Sequence, residues 1–207
     1  MDLGLALRGA GFGVAIAAPV GPIAVLLIRR TLVRGRAVGY ASGLGAATAD
    51  LAYGLVVALG LSVVTNALAA AERSLQVLGG MVLVLLGWRT ARASAPDMAT
   101  VAAEPTRRGL LAAYGSTTLL TLTNPATIVA FLAVFASVGV LTTSSSTSDA
   151  ISVAAGVAAG SALWQLGLCT VVSLLRHRLR AKALRRVNFV SGAVIAGFGF
   201  AALVAAL

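Results

Sequence analysis

The sequence predicts an all-α integral membrane protein of six transmembrane helices in two inverted three-helix repeats, with both termini facing outward. Three observations predict this: an apolar composition with few charges, six apolar stretches near membrane length, and basic residues confined to alternate connections.

Hydrophobic residues make up 59% of the 207 and charged residues 11%, against roughly 25% charged in a soluble domain. A soluble fold would lack the polar side chains to coat its surface, so lipid is the simpler solvent. The net charge of +10 would suit nucleic acid if it lay on one face. Instead Lys and Arg fall in short blocks between apolar stretches, where they meet a membrane surface, and no nucleic-acid partner is expected. The lone Cys169 excludes an internal disulfide, and nothing resembles a metal-ligand set. No phosphate-binding loop or Ser/His/Asp set is present either, so neither a cofactor nor an enzyme activity is expected.

A helix crossing the hydrocarbon core needs about 20 mostly apolar residues. Reading between charges gives spans at roughly 4–28, 38–66, 74–88, 110–141, 150–175 and 187–207. The third is short, and the fourth is long enough, with Pro125 inside it, to be kinked or broken. The first is expected to be retained rather than cleaved as a secretory signal, because its apolar run passes any Ala-rich cleavage point.

Lys and Arg in short loops set orientation. Arg29, Arg30, Arg34 and Arg36 follow the first span, and Arg89, Arg92, Arg107 and Arg108 follow the third. Arg176, Arg178, Arg180, Lys182, Arg185 and Arg186 follow the fifth. Only Arg8 and Arg73 lie elsewhere. Loops one, three and five are therefore expected in the cytoplasm, and these arginines read as orientation signals near anionic lipid.

The chain also looks duplicated, at 1–108 and 109–207. Pro19-Val20-Gly21-Pro22 interrupts the first span and Thr123-Asn124-Pro125 the fourth. Gly80 and Gly87 in the third span match Gly192 and Gly199 in the sixth, with the same spacing. Gly39 with Gly43, and Gly156 with Gly160, are small-residue packing motifs in the second and fifth. Halves of three spans each enter the membrane from opposite sides, the inverted-repeat plan of many secondary transporters, in which interrupted helices build a site near the midplane. Glycine-rich faces of this kind would also suit a homodimer.

Proline inside a helix lacks an N–H and frees the carbonyl four residues back. Pro19 and Pro22 free those of Ala15 and Ala18, and Pro125 that of Thr121. Freed carbonyls suit a cation or an ammonium group. The next half-helix offers N–H donors and a positive dipole end, which suit a carboxylate. Asp50 is the only acid well inside a span, where a bare carboxylate costs about 2.5–3.5 kcal/mol on insertion scales. It is the candidate proton carrier; a structural tie between helices is the bland alternative. Tyr53 shares its helix face and could hydrogen-bond it. Thr121, Thr123 and Asn124 add polar groups at the second break. Trp164 and Gln165 stand near the position equivalent to Asp50 in the second half.

Ala18 to Pro22, Arg29-Arg30-Thr31-Leu32 with Gly35, and Gly43 to Asp50 resemble the first half of the LysE-type translocators, the lysine and amino-acid exporters. Thr123-Asn124-Pro125 is similar to that family's second proline motif, and Leu78-Gly79-Gly80 with Gly87 to its third helix. The broken helices suit both ends of a zwitterionic solute, and the resemblance implies export of amino acids or related small solutes driven by the proton gradient, through a pathway formed by Gly21, Pro22, Asp50, Asn124 and Pro125. One departure is the first break, Pro-Val-Gly-Pro in place of Pro-Gly-Pro, which implies a distinct subgroup. The expected location is the cell membrane, crossed several times. An inorganic-ion transporter and a non-transporting membrane subunit are the alternatives.

Overall fold

The computed structural model describes residues 2–19, 21–58, 70–93, 105–124, 127–128, 130–131, 147–176 and 181–206. They form seven helices, with no strand among the described residues: α1 Leu3–Ala17, α2 Pro22–Arg34, α3 Arg36–Ala58, α4 Glu72–Arg92, α5 Arg107–Leu122, α6 Thr147–Arg176 and α7 Ala181–Ala205. The expectation of an all-helical membrane protein holds. α6 (over Thr147–Leu175) and α7 (over Arg185–Ala205) are each long and apolar enough to cross a bilayer. α1 and α2 qualify together as one bent pair, meeting at 81°. Residues 59–66 and 132–141 of the expected second and fourth spans lie outside the described residues.

Local chemistry sets the helix ends. The Asp2 side chain caps α1 by accepting from the Leu5 N–H at 3.1 Å, and Thr106 caps α5 by accepting from Gly109 at 3.1 Å. α1 stops at Ala17 because Pro19 and Pro22 cannot supply the next rungs. Pro22 then starts α2 at the first helical position, where its missing N–H costs nothing. α2 ends at Gly35, whose φ of 95° is open to glycine and strained for other residues. That single residue turns the chain directly into α3.

Small residues let the helix backbones close on one another. Gly9 and Gly13 of α1 lie against the backbone of Val153 and Val157 of α6, and Gly156 and Gly160 against Ala6 and Ala10. α1 therefore runs parallel to α6. α3 runs parallel to α5, with Gly45 against Tyr114 and Thr118 donating to the Gly45 carbonyl at 3.0 Å. α3 crosses α6 antiparallel, Gly43 meeting Gln165 and Gly54 meeting Ala154. α4 and α7 form an antiparallel pair in which Gly80 faces Gly199 and Gly87 faces Gly192. The matched spacing of these four glycines is thus a mutual contact within one chain. The motifs of α3 and α6 are likewise occupied within the chain, but by other partners: Gly39 by Thr31 and Cys169, Gly43 by Gln165, and Gly156 and Gly160 by α1.

Polar ties cross the same seams. Tyr53 donates to the Leu122 carbonyl at 2.5 Å, and Tyr114 donates to Thr48 Oγ1 at 2.8 Å. Two of the basic residues read as lipid-facing signals turn inward. Arg30 of α2 donates to Ser42 Oγ, Thr117 Oγ1, Ser116 Oγ and the Ala113 carbonyl at 2.7–3.0 Å, joining α2 to α3 and α5. Arg29 Nε donates to Asn188 Oδ1 at 2.9 Å, and Asn188 Nδ2 to the Ala93 carbonyl at 3.2 Å, linking α2, α7 and the end of α4.

Candidate functional site

The bend between α1 and α2 and the end of α5 open onto one cavity of about 120 Å³. A single water needs roughly 10–15 Å³ by the same measure, so the space holds several. Pro19, Gly21, Pro22, Asp50, Thr121, Asn124 and Gln165 all line it. Seven of the residues picked from the sequence thus share one wall system, drawn from four helices and the bend. Ile16, Ala17, Ile23, Ala24, Ala46 and Ala130 supply the apolar remainder, and Thr127 completes the lining.

Asp50 is 4% exposed and its Oδ2 accepts from Ser161 Oγ of α6 at 2.5 Å. Three further oxygens on the cavity wall are buried and have no hydrogen-bond partner among the described protein groups: Thr121 Oγ1, Asn124 Oδ1 and Gln165 Oε1. The Asn124 amide nitrogen is occupied, donating to Thr127 Oγ1 at 2.9 Å. Left unmet, such buried polar atoms would each cost about 1–3 kcal/mol, so water or a solute in the cavity is their natural partner. Two amide oxygens and a hydroxyl, which donates as well as accepts, around one carboxylate give the cavity a mainly hydrogen-bond-accepting character.

The donors come from the backbone. Gly21 stands at the N-cap of α2 and brings no side chain to satisfy the first-turn N–H groups, which a helix leaves without internal partners. The positive end of the α2 dipole therefore lies at the cavity wall. A Cβ added to Gly21 would meet nothing within 4 Å, so the approach to these donors is open.

The other candidates lie apart. Tyr53 does not bond Asp50; its hydroxyl caps the Leu122 carbonyl and its ring packs on Phe131, centroids 5.1 Å apart. Thr123 Oγ1 turns back to the Leu119 carbonyl at 2.9 Å and lines a second, mainly apolar cavity with Leu78, Val82 and Arg30. Trp164 is 38% exposed and not among the lining residues. Pro125 lies outside the described residues. Ser161 and Ala46 went unnoticed in the sequence, though each had a signal: Ser161 is one helical turn from Gln165, and Ala46 one turn from Asp50.

A family model, LysE type translocator, matches residues 14–206. The chain belongs to this family. The match runs from within α1 to just past the end of α7, so it takes in every described cavity residue. A protein of Bacillus subtilis (strain 168), named "Putative amino acid efflux protein YcgF", is 27% identical over 191 residues, covering 91% of this chain and 90% of that protein. No solved structure matches the chain. Membership makes the protein a membrane translocator.

Proposed function

We propose that the protein exports amino acids or closely related small polar solutes across the cell membrane by proton antiport. The observation that carries this reading is the set of three unpartnered oxygens beside Asp50 in one cavity. Such a set calls for a donor-rich occupant, and an ammonium group brings three N–H donors. The uncapped N-terminus of α2 on the same cavity suits a carboxylate. Together they fit the two ends of a zwitterion. The family supports translocation, and the name carried by the Bacillus relative supports amino acids and outward direction.

Asp50 carries the coupling in this reading. A proton neutralises its carboxylate when the site is empty, and the substrate ammonium replaces that proton when the site is loaded. Alternation between the two makes each export step exchange a proton for a solute.

The chain crosses the membrane six times in two inverted halves, 1–108 and 109–207, with both termini outward. The packing supports this. Exchanging α1, α3 and α4 with α5, α6 and α7 turns the parallel α1–α6 pair into the parallel α5–α3 pair. It maps the antiparallel α3–α6 and α4–α7 pairs onto themselves. The alternating basic loops support the orientation.

The test is efflux from liposomes holding purified protein under a pH gradient. Asp50→Asn keeps the size of the side chain and one oxygen to accept from Ser161, and should abolish gradient-driven efflux in a protein that still elutes as a folded species. Efflux at the unmodified rate would remove Asp50 from the coupling step.

A further inference from the structure

The export reading leaves the side chain of the solute open, and the cavity narrows it. We infer that the site selects amino acids with a short, uncharged side chain and rejects lysine and arginine. This rests on the export reading.

The first argument is charge. The chain has six acidic residues, Asp2, Asp50, Glu72, Asp97, Glu104 and Asp149, and among the described residues Asp50 alone lines the cavity. Asp2 caps α1, and Glu72 and Asp149 stand at the starts of α4 and α6. Asp97 and Glu104 lie in the polar stretch between α4 and α5. The remaining segments, 59–69 and 132–146, contain no acid at all. With Asp50 engaged by the α-ammonium, a second cationic group would enter without a counter-charge among the described lining residues. The apolar wall left for a side chain is Ile16, Ala17, Ile23, Ala24, Ala46 and Ala130.

The second argument is size. A cavity of about 150 Å³ accepts benzene; this one is about 120 Å³. Alanine and serine are of that scale, whereas lysine and arginine are far larger.

The experiment loads the reconstituted full-length protein with labelled alanine, serine, lysine or arginine at equal concentration and measures gradient-driven efflux. Alanine or serine should leave faster than lysine and arginine by on the order of 100-fold, the expected penalty for an uncompensated charge at membrane depth. Lysine or arginine efflux within a few-fold of alanine overturns the inference while export of amino acids stands. Failure of all four overturns both. Gln165→Glu adds the missing acid at nearly constant shape and should raise the lysine-to-alanine ratio by at least roughly tenfold. An unchanged ratio in a folded variant that still exports alanine would refute the charge argument.

Discussion

Ser161 Oγ donates to Asp50 Oδ2 at 2.5 Å, binding the acid of α3 to α6 across 111 positions of sequence. Both residues are buried, and the cavity lies on their shared seam. Ser161→Ala leaves that carboxyl oxygen without its donor, which costs about 1–3 kcal/mol. The thermal midpoint in detergent should fall and efflux should slow, and Ser161→Thr should restore both. A Ser161→Ala protein as stable and active as the parent would mean the bond contributes nothing.

Gly21 offers a test in which stability and transport part company. Its φ of −102° suits any residue, and an added methyl would meet open space. Gly21→Ala should therefore leave the melting temperature nearly unchanged, within about 0.5 kcal/mol. The methyl would stand beside the α2 N–H groups proposed to hold the solute carboxylate. Efflux should drop by roughly tenfold, equivalent to about 1.4 kcal/mol.

The α4–α7 seam sets close approach against helix propensity. A Cβ on Gly87 would stand 2.5 Å from Ala196 N and 2.6 Å from the Gly192 carbonyl, both backbone atoms. Gly87→Ala should destabilise by about 1–3 kcal/mol, overriding the gain of up to about 1 kcal/mol that alanine brings to a helix. Gly197, on α7 but with nothing within 4 Å, should show that gain alone when changed to alanine. Denaturation of the two variants side by side reads the difference in sign.

Arg30 meets Ser42, Ala113, Ser116 and Thr117 through the two terminal nitrogens of its guanidinium. A lysine ammonium is one point with three donors and cannot span the same set. Arg30→Lys should lower stability by about 1.5–3 kcal/mol, the worth of one charged hydrogen bond, although charge is conserved. Equal midpoints for the two proteins would show that charge, not the fork geometry, matters here.

Much of this site was legible in the sequence because its signals are local. Two prolines within four residues must break a helix, and an acid twelve residues into an apolar span needs a polar surrounding. The repeated glycine spacing of α4 and α7 was visible for the same reason, although only the structure turned similarity into contact. What was hidden depends on distant partners. Tyr53 is one turn from Asp50, but the Leu122 carbonyl, left unpaired at the end of α5, takes its hydroxyl instead. Arg29 and Arg30 sit at the edge of an apolar run, where arginines that reach for lipid and arginines that clamp helices look alike. Thr123 and Trp164 neighbour cavity residues in sequence and yet point elsewhere, since adjacent helical positions do not share a face.

The shortness of α2 carries a last consequence. Its 13 residues reach about 20 Å at 1.5 Å per residue, less than the roughly 30 Å of a hydrocarbon core. In the proposed orientation, with Arg34 at one boundary, Pro22 stops short of the other by about 10 Å. In the proposed site the helix thus acts as a ruler: adding or deleting one turn between Ala24 and Arg29 would shift the α2 N-terminus relative to Asp50 and Asn124 while keeping every cavity-lining residue in the chain.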